Sequence, residues 1–188
     1  SVGDSTQQRI AAQVNAFKVA AVQMASGPNV TGNISEARRL IAKAVEQGAR
    51  LVVLPEFFAI MGMGERDKVA VREQPGQGPI QSFLSETARK HRIWLVGGSI
   101  PLVASTPDKV LNSCLVFDEH GEQVARYDKI HLFGLELGNE SFDEAKTIEP
   151  GNQVVVVDSP FGRIGLAICY DLRFPELFRS MRNVDIIV

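Results

Sequence analysis

Three side chains with complementary chemistry stand at the ends of apolar runs. Cys169 follows Gly165-Leu166-Ala167-Ile168, Glu56 follows Leu51-Val52-Val53-Leu54-Pro55, and Lys129 follows Gln123-Val124-Ala125-Arg126-Tyr127-Asp128. A thiol near its ordinary pKa is mostly protonated at neutral pH, and the thiolate is the nucleophile. A carboxylate beside it takes that proton. A lysine beside both holds the thiolate, and then the oxyanion that forms when the thiolate attacks a carbonyl. Lys and Glu also neutralise one another when buried together. Taken singly, each residue has a plainer reading: a core cysteine, a surface carboxylate, a solvated strand-end charge. The apolar Pro55, Phe57 and Phe58 around Glu56 shift it towards a buried role.

The stretch 163–176 changes character at the thiol. Its first half is apolar and contains Gly165, polarity switches at Cys169, and Pro175 suits the first position of a helix, where its missing N–H costs nothing. This predicts strand, sharp turn and helix, a nucleophile elbow with Cys in place of Ser. Backbone N–H groups after the thiol then face a developing oxyanion. Arg173, four residues on, either pairs with Asp171 or Glu176 or reaches over the bound acyl group to grip a carboxylate with two parallel hydrogen bonds. His131 is a rival base, two residues past Lys129 in an extended segment and so able to point to the same side.

The elements that must position these groups follow from the apolar pattern. Strands are expected at 17–24, 51–54, 93–99, 112–117, 123–128, 154–157, 163–168 and 185–188. Ile34, Ala37, Leu40, Ile41, Ala44 and Val45 recur at helical spacing, with Asn33 or Ser35 as cap and Gly48 at the exit. A second helix spans 79–90, with a short one at 65–71. Asp118-Glu119-His120-Gly121 turns the 112–128 hairpin. Residues 134–151 read as an acidic loop. The strands ending at Glu56, Lys129 and Cys169 are placed in a single mixed sheet with helices on one face. In open α/β sheets ligands bind beyond the carboxyl ends of the strands, where the three groups then meet.

Composition narrows the function. The chain has 188 residues, 45% hydrophobic and 22% charged, as in a globular α/β domain. Its net charge of −2 gives no electrostatic footprint for nucleic acid or an anionic membrane. No apolar run approaches the roughly 18 residues of a membrane span. Two cysteines, without a CxxC pair, make no disulfide framework and fit a cytoplasmic setting. The three histidines show no metal-ligand spacing. Residues 1–16 read as a flexible arm, and 17–188 as one domain whose C-terminal part is missing, because an apolar strand closes the sequence.

Leu54-Pro55-Glu56, Tyr127-Asp128-Lys129-Ile130-His131-Leu132 and Gly165-Leu166-Ala167-Ile168-Cys169-Tyr170-Asp171-Leu172-Arg173-Phe174-Pro175-Glu176 together resemble the nitrilase superfamily of carbon–nitrogen hydrolases, in particular its Nit-type, omega-amidase-like branch. The resemblance implies a Glu56–Lys129–Cys169 triad, an αββα sandwich with a mixed central sheet, pairing of subunits into a homodimer or higher homo-oligomer, and no cofactor. It implies an amidase for a small carboxylate-bearing amide, working through a thioester with the N–H of Tyr170 helping to hold the oxyanion. A nitrilase, an N-carbamoyl amidohydrolase and an inactive dimerisation module are the alternatives. It also implies a second glutamate near the lysine. Phe142-Asp143-Glu144-Ala145 matches that position best, with Glu136 as fallback.

Overall fold

A computed structural model describes residues 17–62, 64, 66–132, 134–137, 140–168 and 186–187, with the backbone alone at 135–142 and 186–187. The expected arm at 1–16 and the turn and helix over 169–185 lie outside the described residues.

Strand β1 (Lys18–Ala21) leads to helix α1 (Val30–Glu46), β2 (Ala49–Val53), a single helical turn α2 (Asp67–Ala70), helix α3 (Pro79–His91) and the long strand β3 (Trp94–Val103). β1, β2 and β3 pair in parallel. β4 (Val110–Phe117) and β5 (Gln123–Asp128) then add antiparallel, giving the order β1-β2-β3-β4-β5. The helices cover one face. Ile34, Ala37 and Ile41 of α1 and Ile80, Phe83 and Leu84 of α3 pack on Val52, Leu95 and Leu115 of the sheet. Two connected parallel strands need such a crossover helix, and the crossover places the helix on the sheet face.

Helix α1 starts three residues before the earlier of the two expected caps. Asn29, at the end of a Gly-Pro-Asn break, is the N-cap, and its side chain accepts from Gly32 N–H at 2.9 Å. Asn33 is buried instead. Its amide donates to Gly27 O at 2.7 Å and Ala59 O at 2.8 Å, tying the helix start to the turn after β2.

The expected single sheet is corrected. After the hairpin β6 (Gly134–Leu137) and β7 (Glu140–Asp143), a 3₁₀ turn (Glu144–Lys146) and the short β8 (Ile148–Glu149), the chain builds a second sheet. β9 (Val156–Ser159) and β10 (Gly162–Gly165) are antiparallel, and β11 (Ile186–Ile187) runs parallel to β10. So the strand leading towards Cys169 belongs to a different sheet from those leading to Glu56 and Lys129. Apolar strands buried on both faces carry no mark of which sheet they join. The two sheets face each other across Leu51, Val96, Cys114 and Tyr127 on one side and Phe161, Ile164 and Leu166 on the other. The described layers are therefore helix, sheet, sheet. Residues 134–143, expected as loop, form the β6–β7 hairpin.

Candidate active site

Glu56 leaves β2 on a tight turn. Leu54 N–H continues the ladder to Val96 O at 2.9 Å, and Phe57 N–H then donates to Ser99 Oγ at 3.1 Å. Phe57 adopts a left-handed backbone with φ of 49°, which costs a non-glycine residue about 1–2 kcal/mol. Its buried ring, packed with Val69 of α2, offsets that strain. Gly98 of β3 makes room for the turn, since a Cβ there would lie 1.4 Å from Leu54 O.

Lys129 and Glu144 meet because one strand edge changes partners. Along β4, Ser113 opposes Asp128 at the end of β5, and Lys129 N–H still donates to Asn112 O at 2.9 Å. Two residues further, Val110 opposes Ile148 of β8. The chain between β5 and β8 therefore leaves and returns at adjacent points of the same edge. Gly151 N–H closes over Lys129 O at 2.8 Å, an approach that a Cβ on Gly151 would block at 2.2 Å from Asp128 O. Asp128 is itself held by Ser113 Oγ at 2.6 Å and Arg126 Nε at 2.9 Å.

The result is a buried cation between two carboxylates. Lys129, expected on its own to be a solvated charge, has a side chain only 1% exposed, with its Nζ 3.3 Å from Glu56 Oε2 and 3.3 Å from Glu144 Oε1. Glu144 is 12% exposed and Glu56 29%. Burial raises the Glu144 carboxyl above its ordinary range; the Lys129 charge pulls it back and the Glu56 charge pushes it further up. Asn112 Nδ2 reaches Glu56 Oε2 at 3.4 Å, while its buried Oδ1 has no hydrogen-bond partner among the described residues.

A cavity of about 410 Å³ opens beside this cluster, lined by Leu54, Glu56, Met61, Gly98, Ala167 and Ile168 among others. Ala167 and Ile168 are the two residues before Cys169 in the chain. Cys169, Tyr170 and Arg173 lie outside the described residues, as does the side chain of Glu136. His131 is half-buried on the bend after Ile130. Cys114 also borders the cavity, but burial pushes its thiol up to about 12, so it stays protonated and unreactive. A larger cavity of about 580 Å³ near the start of α3 contains Glu73. Both carboxylate oxygens of Glu73 are occupied in capping that helix, through Ile80 N–H at 2.7 Å and Gln81 N–H at 3.0 Å.

One residue of this neighbourhood escapes a reading of the sequence: Lys68. Its ammonium lies 4.1 Å from the centroid of the Phe57 ring. Burial lowers its pKa, against the raising charges of Glu56 and Glu144, with Lys129 adding to the lowering.

The chain belongs to the carbon–nitrogen hydrolase family, whose profile matches residues 18–188. Its relatives include a deaminated glutathione amidase of Yersinia enterocolitica, 38% identical over 87% of this chain and 58% of the relative. The omega-amidase NIT2 of Homo sapiens is 37% identical over 87% of this chain and 58% of its own length. The chain thus spans well under two thirds of these relatives. Among solved structures, the NitFhit protein of C. elegans superposes with a TM-score of 0.79 at 32% identity, covering 90% of this chain and 42% of that one. A mutant amidase of Nesterenkonia sp. AN1, with acrylamide joined by Michael addition to its active-site cysteine, superposes at 0.73 with 28% identity, covering 91% of this chain and 65% of that one. Among the described residues no helix is long and apolar enough to cross a membrane.

Proposed function

We propose that the protein hydrolyses the amide of a small carboxylate-bearing acid through a thioester on Cys169. The observation that carries this reading is the Lys129 ammonium, 1% exposed and 3.3 Å from each of two carboxylates, beside a cavity bounded by the residues that precede Cys169. A lysine so placed has no solvent to serve. It can fix one carboxylate as a base and meet a developing negative charge without reorganising.

In this mechanism Glu56 takes the thiol proton and the thiolate attacks the amide carbon, forming the C–S bond. Lys129 and the Tyr170 N–H hold the oxyanion. Glu56 passes its proton to the nitrogen, the C–N bond breaks, and ammonia leaves. Glu56 then deprotonates water, which attacks the thioester carbon. The C–S bond breaks, the proton returns to the thiolate, and the free acid departs. Glu144 is the second carboxylate that fixes the ammonium, and Arg173 grips the substrate's carboxylate. The names of the relatives, omega-amidase and deaminated glutathione amidase, support an amide substrate, and the cysteine adduct of the Nesterenkonia amidase supports a cysteine nucleophile.

Ammonia release tests the reading. Succinamate should be hydrolysed in preference to butyronitrile and to N-carbamoyl-β-alanine. Preference for the nitrile or the carbamoyl compound assigns the same triad to a different reaction, and inertness towards all three removes the hydrolase reading.

A further inference from the structure

The Lys129 ammonium, 3.3 Å from both Glu56 and Glu144, serves the reacting end of the substrate and not its remote carboxylate. A carboxylate-bearing substrate must nevertheless enter a site that already holds two carboxylates, and their repulsion opposes it. Besides Arg173, a second cation on the β2 side of the site lowers that repulsion. Lys68 is half-buried, sits over the ring of Phe57, the residue after Glu56, and makes no hydrogen bond or ion pair among the described residues. Val69, on the same helical turn, packs with Phe57 and Ile148, which fixes the turn against both sides of the site. Lys68 is thus a half-buried cation, seated on the Phe57 ring and without an ion-pair partner among the described residues. Ion pairs gain most where the cation has lost hydration before the anion arrives.

We propose that Lys68 is a specificity residue that binds the substrate's carboxylate together with Arg173, at the rim of the Glu56–Lys129–Glu144 cluster. The proposal rests on the reading of the site as a hydrolase of carboxylate-bearing amides, and adds a residue that reads the end of the substrate remote from the reacting carbon. The ammonium, seated 4.1 Å from the centroid of the Phe57 ring, supplies the charge. A neutral amide of the same length has nothing to offer it. Lys68 touches no reacting atom, so its loss falls on binding of the charged substrate and not on the chemical step.

The test pairs kinetics with direct binding. Lys68→Met and Lys68→Arg are compared with wild type for hydrolysis of succinamate and of butyramide, and for calorimetric binding of succinate. K68M should raise the succinamate KM and weaken succinate about 10- to 100-fold, the worth of one charged hydrogen bond, with butyramide kcat/KM changed less than about twofold. K68R, which keeps the charge, should recover part of the loss. Equal losses on succinamate and butyramide would overturn the proposal, because Lys68 would then act through Glu56 and Glu144. So would succinate binding to K68M as it does to wild type, or failure of wild type to bind succinate. If wild type hydrolyses neither amide but binds succinate in a Lys68-dependent way, the hydrolase reading fails while the carboxylate subsite stands.

Discussion

Replacing Lys129 by Met keeps most of the side chain's length and deletes the charge that pairs with both Glu56 and Glu144. Breaking a buried ion pair by removing one partner costs about 3–5 kcal/mol, because the other charge is left uncompensated. Lys129 is 1% exposed and Glu144 12%, but Glu56 at 29% keeps some water, so the lower end applies. At pH 8 the expected loss is about 3 kcal/mol, which moves a urea midpoint by roughly 1–2 M. The loss should shrink at pH 5. Burial already raises the Glu144 carboxyl above its ordinary 4.5, and without Lys129 it rises further. A folded state that holds a proton more tightly than the unfolded chain gains stability as pH falls below the raised pKa and loses it as pH climbs back through. Protonated Glu144 then no longer repels Glu56. Urea titrations of wild type, K129M and K129M/E144Q at both pH values measure this, and the double variant should recover much of the pH 8 loss. A K129M deficit that is identical at pH 5 and pH 8, and unchanged by E144Q, would show that Lys129 contributes packing and not charge.

Glu56→Gln keeps the shape of the side chain and removes the base, so kcat should fall by about 10²–10⁴ with the fold intact by circular dichroism; near-wild-type turnover would remove Glu56 from the chemistry. Gly98→Ala places a Cβ 1.4 Å from Leu54 O, so the turn carrying Glu56 must shift, and the variant should lose both thermal stability and activity; a wild-type melting curve would contradict that contact. Iodoacetamide at pH 8 should leave Cys114 unlabelled, because its thiol is held protonated up to about 12, and Cys114→Ala should cost about 1–2 kcal/mol with little effect on turnover. Arg173→Lys should weaken carboxylate-bearing amides and spare neutral ones of equal length; equal losses on both would make Arg173 a support of its turn.

Much of the helical face was legible because apolar residues recur with a period that only one element satisfies, as from Ile34 to Val45 and over 79–90. The start of α1 was not. Val30-Thr31-Gly32-Asn33 is poor in helix formers, yet Asn29 caps it, and Asn33 serves by hydrogen-bonding inward to the turn after β2. The β6–β7 hairpin did carry a signal in the sequence, Leu135 and Leu137 alternating ahead of the dipeptide Gly138-Asn139, which the density of acids obscured. The meeting of Glu56 and Lys129 was legible from their strand-end positions, and the nearness of Glu144 only through the family resemblance. It depends on β4 exchanging β5 for β8 along one edge, a long-range pairing that no local pattern records. Lys68 was invisible for the same reason. In a glycine-punctuated stretch it reads as one more solvated charge, and only the packing of Val69 on Phe57 brings it to the site.

The most direct test of the thioester chemistry is intact-protein mass spectrometry after rapid acid quench of the enzyme turning over succinamate. The expected species is the protein plus succinamate minus ammonia, with the added mass mapped by proteolysis to the peptide containing Cys169. Ammonia release without any such adduct under single-turnover sampling, or an adduct carried by Cys114, would contradict the account.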